Sequence, residues 1–334
     1  ITIKDFNINY FFIGLFKSKG DNKDNLPHIK NLKIKFENSI MKTNSGGFIR
    51  NSQKYFKIEN CTMEGNVQPP SGEHLSWGGV GGICGSYAGA NKGYCEVINC
   101  TMNGNVTGDN SGGICGSYAG SNGKCVVTDC TMKGDLKGYE AGGICGRYAG
   151  QEGKCEVTRC RMEGNVIGEM KSAGAGGICG GSAGLLQGNC LVYKCTMKGN
   201  VMGNSAGGIC GMHAGMNGKC IVTDCTMEGK VDNEFAGGIC GSFAGKNGEC
   251  LVTGCYSKYA CTDPSKGNGI YTNKTITTPH TRSVSLSIKT PSEVHGDCIT
   301  TRPTTRPTTR PTTTQPTTTK PTTTQPTTTQ PTTT

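Results

Sequence analysis

The chain has 334 residues, 53 of them Gly and 21 Cys, with a single Trp and 34% hydrophobic residues. That composition excludes ordinary large-cored domains: with glycine counted, about half of the chain is small or apolar, enough for a thin core lined by small side chains. The formal net charge is +10, yet Lys and Glu alternate at equivalent positions (Glu64, Lys133, Glu163, Lys198, Glu228) and build no basic stripe, which argues against a nucleic-acid partner. No stretch approaches the roughly 18 consecutive apolar residues of a membrane span. Residues 8–16, INYFFIGLF, lack the basic segment and small-residue cleavage site of a signal peptide.

Along the chain, ITIKDFNINY at 1–10 and IKNLKIKFENSI at 29–40 read as strands of degenerate coils. SGGFIR at 45–50 and YFKIENCTMEGNV at 55–67 form an imperfect first repeat, so 1–67 is expected to cap an array. An insertion, QPPSGEHLSWGGV at 68–80, carries Trp77 and opens the segment 68–255. There GGICG recurs, its cysteines (Cys84, Cys115, Cys145, Cys179, Cys210, Cys240) following one another at 31, 30, 34, 31 and 30 residues. Each run precedes a block of the type CVVTDCTMKGDL, residues 125–136.

Three glycines in ten residues oppose helix, whereas CVV, CEV and CIV favour strand and the Gly pairs mark turns. A unit of this size cannot bury itself alone. Stacked on its copies it predicts an all-β, parallel β-solenoid of about eight coils, roughly 35–40 Å long at about 4.8 Å per coil. Comparing copies sorts the columns. The Ile and Cys of GGIC, the Ala of x-A-G, the Cys-Thr-Met triplet and the Val of GNV hardly vary and are expected inside. Asn99, Asp129, Arg159, Lys194, Asp224 and Gly254 vary freely and are expected in water.

GGICGSYAG followed by GKCVVTDCTMKGDL resembles the GLUG repeat, with its G-G-L-V-G, glycine turn and alternating strand ending near G-N-V. The resemblance covers about residues 45–255. It implies a solenoid on a surface-exposed, adhesin-like protein and does not imply an enzyme; cysteine replaces positions that are usually apolar.

The other cysteine columns are Cys95, Cys125, Cys155, Cys190, Cys220, Cys250 and Cys61, Cys100, Cys130, Cys160, Cys195, Cys225, Cys255. No histidine accompanies the C-x₄-C spacing regularly, so zinc is not expected, and a redox C-x-x-C is absent. Copies about 4.8 Å apart fall within the Cα window of a cystine, which favours disulfides; a ladder of reduced thiols acting as small apolar groups stays open. Three cysteines per coil cannot all pair within it: one column is left free, or bridges run between coils. Cys261 and Cys298 are a separate candidate pair in an irregular cap, 256–298. The cysteine content favours an oxidising, extracellular setting.

The methionine column (Met63, Met102, Met132, Met162, Met197, Met227) reads as core. Tyr87, Tyr118, Tyr148 and Phe243, interrupted by Ser182 and His213, would make a sugar-binding ribbon if exposed; core is favoured. The Trp77 loop is a second candidate glycan contact. Acids fall in variable outward columns, so the paired carboxylates of a carbohydrate-cleaving β-helix are not in evidence, and no hydrolase or phosphate-loop motif is present. No cofactor or metal is expected.

Residues 299–334 repeat RPTT and QPTTT, a composition that favours polyproline II and an O-glycosylated stalk, with Thr304, Thr305, Thr308, Thr309, Thr312, Thr313, Thr317, Thr318, Thr322, Thr327 and Thr332 as acceptors. Sequons stand at Asn60, Asn99, Asn105 and Asn273; the first two precede third-column cysteines, which suggests a coil corner there. The expectation is an extracellular or cell-surface structural or adhesive protein, self-associating or bound to other surface or matrix proteins. A carbohydrate-binding module is the alternative, and a carbohydrate-active enzyme a weaker one.

Overall fold

Short strand-forming runs bounded by glycine can gain hydrogen bonds and burial only from neighbouring copies, and each coil is built that way. In a computed structural model of the chain, residues 2–4, 23–37, 45–49, 54–68, 79–169, 174–232 and 236–258 are described. The chain divides into Ile1–Cys298 and Ile299–Thr334, and every described residue lies in the first unit. Trp77, Cys261, Asn273, Cys298, the cap beyond residue 258 and the Thr/Pro segment 299–334 with its acceptor threonines lie outside the described residues.

The coil that starts at Gly112 supplies the strands Lys124–Thr128, Thr131–Met132 and Leu136–Lys137. Each pairs in parallel and in register with its copies: Cys125 with Cys95 and Cys155, Met132 with Met102 and Met162, Leu136 with Val106 and Val166. Repetition yields parallel sheets of eight, nine and five strands, and no helix occurs among the described residues. The protein is an all-β parallel β-solenoid. Its degenerate N-terminal segments join the same sheets, Thr2–Lys4 against Lys33–Glu37 and His28–Lys30 against Tyr55–Glu59.

The GGIC runs close a fourth edge through single bridges, Gly112 to Gly81 and Gly142, and Cys115 to Cys84 and Cys145. The Ile144 carbonyl accepts the N–H of both Ile114 (2.9 Å) and Cys115 (3.0 Å). That kink breaks the strand alternation, so adjacent Ile114 and Cys115 both point inward and are fully buried. On the next face alternation holds, with Cys125 and Val127 inside and Lys124, Val126 and Thr128 half-buried. The Ile, Cys, Ala, Met and Val columns expected inside are the observed core and stack on their copies. The Thr of the Cys-Thr-Met triplet, also expected inside, is instead half-buried, because strand alternation turns it outward beside Met.

Two glycines explain why the run reads GG. A Cβ on Gly112 would stand 1.9 Å from the Cys115 carbonyl oxygen, and one on Gly113 2.2 Å from the Gly143 carbonyl and 2.7 Å from Met132 Cγ. The methionine column therefore fills the space that the second glycine leaves, and the two motifs are one packing unit. The Asn or Asp of the GNV block has a similar local reason. Asn105 Oδ1 accepts the Asp135 N–H (2.9 Å), Asp135 Oδ1 the Asn165 N–H (2.7 Å), and Asn165 Oδ1 the Asn200 N–H (2.9 Å). Side chains here replace backbone partners at a corner.

Three substitutions measure this packing by denaturant unfolding. Gly143→Ala, whose Cβ would lie 2.0 Å from the Gly177 carbonyl, is expected to cost about 1–3 kcal/mol through overpacking. Met132→Ala is expected to cost about 2–5 kcal/mol. Exposed Lys133→Ala should stay within about 0.5 kcal/mol; equal losses at all three would contradict the column assignment.

Candidate functional site

The outer surface carries one ordered, unusual feature, a ladder at the turn after GGIC. Tyr87, Tyr118, Tyr148, Ser182, His213 and Phe243 all have left-handed backbone, with φ of 61°, 59°, 63°, 60°, 61° and 58°. The sequence favours the core for the tyrosines and Phe243 of this column. The structure corrects that expectation: the left-handed turn rotates the side chains outward, leaving the three tyrosines half-buried and Phe243 exposed. The Tyr87 and Tyr118 rings stack at 4.6 Å with 3° between planes, and the Tyr148 ring lies 4.7 Å from Tyr118, tilted by 31°. His213 and Phe243 form a second stack at 5.3 Å beyond the gap at Ser182.

Left-handed non-glycine residues cost on the order of 1 kcal/mol or more each, and ring contacts of about 0.5–1.5 kcal/mol offset part of it. The stack has a chemical consequence. Both faces of Tyr118 are covered by its neighbours, so the ladder offers ring edges and phenol hydroxyls outward. Burial, with Tyr87 and Tyr148 adding to it, pushes the Tyr118 phenol up to about 12.

Beside the ladder runs the column Ser86, Ser117 and Arg147. Ser86 Oγ donates to the Gly79 carbonyl (2.6 Å), while Ser117 Oγ accepts the Gly79 N–H (3.0 Å) and lies 2.9 Å from Ser86 Oγ. One coil on, Arg147 lies with its guanidinium carbon 4.2 Å from the Tyr148 ring centre and forms an ion pair with Glu140. Glu140 has only 1% of its surface exposed. The expectation that acids lie in outward columns fails for this residue, because its left-handed corner (φ 46°) turns it under Arg147. Burial pushes its carboxyl up, against the opposing pull of Arg147.

The cysteines fall into two classes. First- and second-column sulfurs meet across the core of one coil: Cys145–Cys155 at 3.9 Å, Cys179–Cys190 at 3.8 Å, Cys210–Cys220 at 3.7 Å and Cys240–Cys250 at 3.4 Å. Third-column thiols turn to the backbone, Cys130 Sγ donating to the Thr128 (3.3 Å) and Val97 (3.4 Å) carbonyls. No disulfide joins any of the nineteen described cysteines, and all of them except half-buried Cys255 are buried. Burial raises the Cys84, Cys95, Cys130, Cys160 and Cys195 thiols and keeps them protonated, which makes them poor nucleophiles in the folded chain. Among the described residues no group of three or more His, Cys, Asp or Glu is placed to hold a metal, and no helix is long and apolar enough to cross a membrane.

Asn60, Asn99 and Asn105 are exposed. Asn60 (φ 54°) and Asn99 (φ 49°) occupy the left-handed corner before the third cysteine column, and their side chains join, Asn99 Nδ2 donating to Asn60 Oδ1 at 2.8 Å. Asp129 and Arg159 continue that corner with a two-pronged ion pair at 2.7 and 2.8 Å.

Glu140 makes a pH prediction. Its raised folded pKa means that the protonated form favours folding, a contribution complete below its ordinary value of 4.5 and lost as pH rises through the folded value. Unfolding free energies of Glu140→Gln and wild type should therefore shift in the variant's favour between about pH 4 and about pH 7. A constant difference would show that burial does not dominate at Glu140.

No family model, curated protein or solved structure matches the chain.

Proposed function

We propose that the protein is an extracellular or cell-surface structural and adhesive element, a rigid solenoid that spaces or binds surfaces. The observation that carries this reading is the division of labour between columns. The least variable Ile, Cys, Ala, Met and Val columns are spent on inner stacking, and outer positions such as Asn99, Asp129, Arg159 and Lys194 change charge and size from coil to coil. A catalytic or small-ligand centre needs convergent polar groups; this surface offers a lattice of local ion pairs. The Thr/Pro segment, the exposed sequons at Asn60, Asn99 and Asn105, the cysteine content and the resemblance to GLUG repeats support the setting.

Partners are expected to be other surface or matrix proteins, or further copies of the chain. Expression through a secretory pathway, with intact mass before and after deglycosylation, tests the setting. A mass above the bare 35.0 kDa that falls on glycan removal is expected; secreted protein at the bare mass would count against it.

The outward tyrosine ladder supports a second reading, a carbohydrate-binding surface. Since ring faces are covered within the stack, recognition would use hydroxyls and edges. Glycan-array signal that disappears in Tyr118→Ala and Tyr148→Ala would favour this reading; signal unchanged by both, or none at all, leaves the structural one.

A further inference from the structure

We propose that the two facing cysteine columns oxidise in pairs within each coil. The cystines are Cys84–Cys95, Cys115–Cys125, Cys145–Cys155, Cys179–Cys190, Cys210–Cys220 and Cys240–Cys250, and the third column stays as free thiols. The proposal rests on the extracellular reading only in that such a compartment supplies the oxidant.

Three observations converge on this pairing. The first is distance: in the four coils from Cys145–Cys155 to Cys240–Cys250 the facing sulfurs approach to 3.4–3.9 Å from opposite sides of the core, so a small side-chain rotation closes them. Copies in one column also interact, Cys84 with Cys115 and Cys95 with Cys125, but their directions suit a cystine less well. Stacked parallel strands hold in-register residues about 4.8 Å apart with parallel Cα–Cβ directions, whereas a cystine needs Cβ atoms about 3.5–4.5 Å apart and converging.

The second is joint replacement. One coil before the array, Ile49 sits on Cys84 and Phe56 on Cys95, so both members are lost together. Cys61 remains in that coil, in register with the third column. Columns one and two thus appear and vanish as a unit, independently of column three. The third observation is that column three already has backbone partners, as Cys130 shows with the Thr128 and Val97 carbonyls.

Oxidation requires a disulfide-bearing oxidant such as oxidised glutathione. One thiolate of a pair attacks it, forming a mixed disulfide and releasing one glutathione thiolate. The second cysteine thiolate then attacks the protein-bound sulfur, forming the cystine and releasing the other. Two protein protons pass to the two glutathione thiolates, so one cystine forms as one glutathione disulfide is reduced to two thiols. Both columns are fully buried in the folded coil, so the exchange precedes closure of that coil.

The test is refolding of the reduced full chain in a glutathione redox buffer, then alkylation under denaturing conditions and peptide mass mapping. Expected are six links joining cysteines 10 or 11 positions apart, each lowering mass by about 2 Da, and alkylation at Cys61, Cys100, Cys130, Cys160, Cys195, Cys225 and Cys255. Links between copies in adjacent coils, links that include the third column, or complete alkylation would overturn the proposal. Cys145→Ser provides a second readout: Cys155 alone should become alkylated while the other five links persist. Re-pairing of Cys155 with another second-column cysteine would also overturn it. The buffer defines the oxidant, so failure here is separable from failure of the extracellular reading, which turns on glycan mass.

Discussion

Each position in the stacked coils sits on the equivalent position of the next coil, and along the inner columns that is most often the same residue. In-register parallel pairing, Cys125 on Cys95 and under Cys155, Met132 on Met102 and under Met162, requires each position to tolerate its own image about 4.8 Å away. Small and apolar side chains pass that test readily. Glycine passes where backbones crowd, methionine fills what glycine leaves, and a thiol stacks as a compact apolar group. The inner composition follows from this rule.

Charges pass it only with help from neighbouring columns. Lys124 is in register with Lys154, a like-charged pair that would repel. Glu156, in the same face, takes both, at 3.1 Å from Lys124 Nζ and 2.6 Å from Lys154 Nζ. Lys57 is similarly placed between Glu59 (3.3 Å) and Glu96 (3.6 Å). Such half-exposed pairs contribute little net stability; their effect is to remove a penalty that stacking creates. The asparagine ladder at the GNV corner does the same for unpaired backbone N–H groups. A surface occupied in this way supports a scaffold, and the reading as a structural and adhesive element draws on it.

Much of the fold is legible in the sequence, since repeat spacing sets the coil and comparison of copies sorts inside from outside. The misses occur at corners. For Tyr118 the sequence favours core because nothing in it announces the left-handed backbone at this turn, which sends the side chain outward. The corner that buries Glu140 also buries its copy Asn110, but an acid stands there in one coil only, so no repeated carboxylate announces it. The facing of the first two cysteine columns is hidden too, since a separation of 10 residues along a bent path has no periodic signature. Its trace in the sequence is the joint replacement by Ile49 and Phe56, which becomes interpretable once register is known.

Sealing of the columns by coil-to-coil stacking is the central claim, and native-state thiol labelling tests it most directly. In reduced, folded protein the eighteen buried cysteines are expected to resist a small alkylating agent and to react together on unfolding. A cysteine introduced by Lys133→Cys, on the outer face, should react at once. Rapid native-state labelling of Cys115, Cys125 or Cys130 would contradict the stacked arrangement.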